Sequence, residues 1–129
     1  MEIIFLIGRI LYGGFFVFGG INHFMKLEMM AGYADAKGVP MAKTAVILSG
    51  AVSILGGLGI IFGVYVKIAI ALLALFLIVV TLKMHNFWKT ADPMVRMNDQ
   101  VGFMKNTALL GADLMFLAIE EPWIFSWLF

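Results

Sequence analysis

Seven side chains could do chemistry inside an otherwise apolar sequence: Arg9, His23, His85, Trp88, Lys105, Asn106 and Asp113. An ionisable group within a lipid-spanning stretch is costly, so Arg9 and Asp113 each mark a structural pair or a functional site. Arg9 lies seven residues after Glu2, and Asp113 lies seven residues before Glu120. At 1.5 Å per helical residue, each would sit about 10 Å deep from the same end. Opposite charges at matched depth predict an Arg9–Asp113 ion pair between the first and last apolar stretches, because either charge alone would cost several kcal/mol. The main reading of that pair is a lock on the bundle. The other is a proton- or quinone-related role.

The remaining five residues gather at one level of the membrane. Asn22, His23 and Lys26 close the first apolar stretch, His85, Asn86 and Trp88 follow the third, and Lys105 and Asn106 lie early in the fourth. Such a cluster could hold the carbonyl of a quinone ring, with His23, His85, Lys105 or Asn106 as partners and Phe16, Phe87 or Trp88 flanking the ring. Interfacial solvation of helix ends accounts for the same residues equally well. Two histidines also invite axial haem ligation, but nothing in their spacing makes them face each other. Two histidines without a carboxylate make a poor metal site, so no metal is expected.

Arg9, Gly13, Phe16, Gly20 and His23 recur at helical spacing and share one face. The two glycines make that face thin, as do Gly50, Gly56 and Gly57 with Ser49 and Ser53 in the second stretch. Close helix packing is the plain reading, and admission of a flat ligand is the alternative.

Four elements must position these groups. Hydrophobic residues make up 63% of the 129 residues and charged residues only 13%. A water-soluble domain is nearer half apolar and a quarter charged, so lipid must solvate most of the chain. The apolar stretches predict transmembrane helices over about 3–24, 44–64, 66–84 and 101–119. The fold expected is an all-α antiparallel bundle forming a single domain over 1–129. Period-two alternation is absent, which argues against barrel strands. The first stretch lacks a basic start and a small-residue cleavage site, and it is too long for a signal peptide. The net charge of +1 points to no nucleic-acid partner. The absence of cysteine excludes iron–sulfur clusters, dithiol chemistry and c-type haem attachment. Any redox role must therefore borrow a cofactor such as quinone.

Gly63-Val64-Tyr65 predicts a tight turn, and hence a hairpin of the second and third helices. The longer 25–43 segment suggests a short interfacial helix ending at Gly38. Trp123 to Phe129 reads as an aromatic interfacial tail. Lys26, Lys37, Lys43, Lys83, Lys89, Arg96 and Lys105 lie on the side of the long loops. The positive-inside rule then puts those loops in the cytoplasm and both termini outside.

In order and spacing these motifs resemble the DoxX family of small four-helix membrane proteins, over Arg9 to about Leu114. The first helix carries the Arg9, Gly13, Phe16, Gly20, His23 series. The second carries Ser53-Ile54-Leu55-Gly56-Gly57, and Gly63 and Lys67 mark the turn. His85-Asn86-Phe87-Trp88 ends the third, and Phe103-Met104-Lys105-Asn106-Thr107-Ala108-Leu109 opens the fourth. Two departures stand out: Ser53 occupies a position where the family commonly has an acid, and His23 replaces a frequent Lys. The resemblance implies a multi-pass protein of a bacterial inner membrane, akin to a subunit of thiosulfate:quinone oxidoreductase and to proteins of membrane redox complexes.

Two functional classes follow. One is a redox-associated, quinone-linked subunit, whose electrons must come from a partner's cofactor. The other is a non-catalytic accessory subunit that packs on a larger membrane complex. Whether the chain is itself an enzyme stays open. A solute carrier has little support, because there is no long internal repeat and no broken helix pair.

Overall fold

Glycines draw the first two long helices together. In the computed structural model, which describes residues 1–126, α1 (Glu2–Met25) lies against α3 (Ala42–Phe62). A Cβ added at Gly13 would stand 2.5 Å from the Gly57 carbonyl oxygen, and one at Gly20 would stand 2.6 Å from that of Gly50. With no side chain at either crossing, the backbones touch, which is how small residues pack helices in lipid. The close-packing reading of these glycines therefore holds. Ser53 strengthens the contact by donating its hydroxyl to the Phe16 carbonyl at 2.6 Å.

Between them runs the short helix α2 (Leu27–Ala36), close to the expected interfacial helix. Gly38, at φ +82°, reverses the chain after it, a conformation that costs glycine little. Gly63 does the same at φ +66°, with Val64 N–H donating to the Gly59 carbonyl at 3.1 Å. The turn leads directly into α4 (Val66–Met84), as the hairpin reading requires.

The last helix, α5 (Pro93–Met115), begins eight residues before the expected 101. Asp92 caps it by accepting from Met94 N–H at 2.9 Å, and proline at the first helical position suits the missing donor. The polar run 93–100 is therefore helical rather than loop. Two 3-10 turns flank α5, Phe87–Lys89 before it and Phe116–Ala118 after it.

Four helices are long and apolar enough to cross a membrane, and no strand occurs among the described residues. The molecule is a helical membrane bundle. Its outer surface presents exposed Leu11, Phe18, Leu48, Leu55 and Leu75, which suits hydrocarbon and not water. The core is built on Phe16, Ile60, Leu73 and Leu77, with Trp123 joined to it. That last residue corrects the tail reading. Trp123 is only 2% exposed and packs edge-on against Phe5 at 5.2 Å, so the chain folds back onto the bundle. Residues 127–129 of the expected tail lie outside the described residues.

Candidate functional site

Arg9 and Asp113 come first, because the predicted pair is not made. The guanidinium instead caps α3. Its Nε–H donates to the Ile60 carbonyl at 3.1 Å, and Nη2 donates to that of Ile61 at 2.8 Å. Nη1 donates to the Ile124 carbonyl, and Nη2 reaches that of Phe125 at 3.5 Å. The last carbonyls of a helix have no partner within it and sit at the negative end of its dipole. A fork of five donors satisfies them and ties down the returning chain. Phe5 and Trp123 flank the cation at 5.4 and 5.6 Å. Asp113 is wholly buried, yet neither carboxyl oxygen has a hydrogen-bond partner. The backbone carbonyls satisfy Arg9 before any carboxylate is needed.

The opposite end of the bundle holds a half-enclosed cavity of about 540 Å³, a size typical of small-molecule sites. Phe15 and Phe16 of α1 and Phe76, Leu77 and Val80 of α4 supply apolar walls. Met29, Met30 and Tyr33 of α2 line another side. Four of the five residues expected at a ligand site, His23, His85, Lys105 and Asn106, line this one cavity. The ends of α1 and α4 and the middle of α5 bring them together. Trp88 is the exception. It packs edge-on against Phe87 at 5.4 Å and Phe103 at 5.8 Å, and it does not line the cavity. Phe87 joins that external cluster, whereas Phe16 does flank the cavity.

The polar groups differ in what they offer. His23 Nδ1 lies 3.1 Å from the Val46 carbonyl and 3.1 Å from the Ser49 hydroxyl. A carbonyl can only accept, so the neutral ring carries its proton on Nδ1, an assignment made from the network. Nε2 is then an acceptor. His85 turns Nδ1 away from the cavity, 3.8 Å from Asp99 Oδ1, and its ring fills the space over Gly102, where a Cβ would be 2.5 Å from that nitrogen. Asn106 is 5% exposed and its side chain makes no hydrogen bond among the described residues, although it lines the cavity. Lys105 holds its ammonium 5.3 Å over the Phe15 ring.

Behind the cavity stands a buried carboxylate that the sequence reading did not single out. Asp99 accepts from Lys37 Nζ at 2.6 Å, from the Thr90 hydroxyl at 3.0 Å and from the Tyr33 hydroxyl at 3.4 Å. It thereby fastens α2 to α5 and closes that side of the cavity. The buried residues of α5 are Asp99, Gly102, Asn106 and Asp113, spaced by three, four and seven residues. This is one helical face, legible once Asp92-Pro93 is taken as the helix start. No group of three or more His, Cys, Asp or Glu side chains placed to hold a metal occurs among the described residues.

The fold and site together define a four-span membrane protein with a ligand-sized cavity between its helices. A DoxX family model matches residues 4–86, and the chain belongs to that family. The match covers α1 to α4 and His85. The resemblance traced through Lys105 and Asn106 lies beyond it. No curated protein and no solved structure matches the chain.

Proposed function

We propose that this chain is a quinone-linked subunit of a membrane redox complex in a bacterial inner membrane, with its long loops in the cytoplasm. The observation that carries the reading is the convergence of His23, His85, Lys105 and Asn106 on one apolar cavity. A quinone head is flat, apolar and edged by two oxygens. Aromatic walls such as Phe15, Phe16 and Phe76 suit the ring. The Lys105 ammonium and the Asn106 amide suit an oxygen acceptor, and His23 Nε2 suits a quinol hydroxyl. The chain has no cysteine, so a partner subunit supplies the electrons.

The test is saturable binding of 1,4-naphthoquinone to the protein in phosphatidylcholine nanodiscs, with empty nanodiscs as the background. Gly19 lines the cavity and has open space where a Cβ would stand, so Gly19→Phe fills the site without disturbing a helix contact. Binding lost in that variant supports the reading. Equal uptake by wild type, Gly19→Phe and empty discs would overturn it.

A second reading, a non-catalytic accessory subunit, draws on the exposed stripe of Met97, Val101 and Met104 on α5 beside half-exposed Trp88. Recovery of a stoichiometric membrane partner from mild detergent, without quinone in the extract, favours that reading instead.

A further inference from the structure

Resting on the cavity as a quinone-type site, we infer that its occupant is an anion: a flat apolar body bearing one ionised oxygen, of the hydroxyquinone type. The charge of the lining carries this. Lys83 and Lys105 both line the cavity, and no aspartate or glutamate does. Neither lysine makes an ion pair among the described residues. The nearby carboxylate, Asp99, is 2% exposed and is already held by Lys37 at 2.6 Å, so it is not a counter-ion for the cavity. Asn106 adds a buried amide with no hydrogen bond among the described residues.

A cation at the edge of an apolar space with no counter-charge favours an anion brought in by a ligand. Both lysines are exposed at the mouth of the cavity, and a neutral quinone would use the same donors without the gain of a charge-assisted bond. His23, as an acceptor in its neutral form, is the less suitable wall for the ionised oxygen. The anion therefore belongs on the side of α4 and α5, with the apolar ring toward Phe15 and Phe76.

The experiment compares 2-hydroxy-1,4-naphthoquinone, which is ionised at neutral pH, with neutral 1,4-naphthoquinone and with decanoate, all in phosphatidylcholine nanodiscs. The hydroxyquinone is expected to bind about tenfold more tightly than the neutral ring, the ratio that one charge-assisted hydrogen bond supports. Lys105→Gln should erase most of that preference, and Lys105→Arg should keep it. Equal affinity for the two rings overturns the inference and leaves the quinone reading standing. Decanoate binding that is lost in Lys105→Gln, with no binding of either ring, overturns both the inference and the quinone reading. Hydroxyquinone binding that persists undiminished in Gly19→Phe is adsorption outside the cavity, and it too overturns the inference.

Discussion

The Nε of Arg9 lies 3.1 Å from the carbonyl oxygen of Ile60, so a cation from the first helix caps the end of the third. Both residues are buried, at 1% and 0% exposure. The hydrogen bond is charge-assisted and shielded from water, which makes it among the stronger single contacts available to the bundle. Arg9→Lys keeps the charge but loses the fork, so the orphan carbonyls go unfilled. We expect a loss of about 2–4 kcal/mol, read as a lower midpoint of thermal unfolding in detergent.

Asp113 supplies the complementary test. Its carboxyl is buried without a hydrogen bond, so an apolar residue of similar size removes an uncompensated polar group. Asp113→Leu is expected to raise stability by about 1–3 kcal/mol. In a double-mutant cycle with Arg9→Met, the coupling should be close to zero. A coupling above about 1 kcal/mol would restore the ion pair that the geometry denies.

Glycine substitutions should divide sharply by position. A Cβ at Gly57 would meet the Gly13 carbonyl oxygen at 2.5 Å and Val17 Cγ2 at 2.8 Å. Gly57→Ala must push α1 from α3, at about 1–3 kcal/mol or more. Gly14, one residue along from Gly13, has nothing within 4 Å of its Cβ position. Gly14→Ala should be neutral or mildly stabilising, by up to about 1 kcal/mol. Equal effects at the two sites, measured by denaturation in mixed micelles, would argue against the backbone contact.

The hub behind the cavity predicts an asymmetry. Lys37→Met leaves Asp99 buried with its strongest partner gone, at about 3–5 kcal/mol. Asp99→Asn removes the charge as well and keeps hydrogen-bonding capacity, so it should cost less. Amide hydrogen exchange in α2 should rise most in Lys37→Met, because that pair fastens α2 to α5.

Ser53 takes a position where the family resemblance leads one to expect an acid, and it donates to the Phe16 carbonyl at 2.6 Å. Ser53→Ala should cost about 0.5–1.5 kcal/mol while leaving ligand binding in place. A large loss of naphthoquinone affinity with unchanged stability would instead assign this hydroxyl to the ligand.

Composition and hydropathy alone determined that the chain is a bundle of four membrane-spanning helices, because a segment of about 20 apolar residues has few other stable homes. The Gly13, Gly20, Gly50 and Gly57 contact was also legible, since helical spacing places small residues on one face whatever surrounds them. The convergence of His23, His85, Lys105 and Asn106 could be anticipated from their shared level in the membrane. Depth is a one-dimensional quantity that sequence supplies directly.

Rotation about each helix axis and the path of the irregular segments needed the tertiary structure. Their spacing from the helix ends sets Arg9 and Asp113 at one expected depth, but which groups each one meets depends on how α3 ends and on the return of residues 123–125, and no periodicity encodes either. Trp88 shares the level of the cavity yet packs outward on Phe103, because the 3-10 turn at 87–89 rotates it away. Asp99 looked like a loop residue until Asp92 capped the helix eight residues earlier than hydropathy suggested. Hydropathy marks where lipid begins, whereas a helix begins where its first N–H groups find a partner.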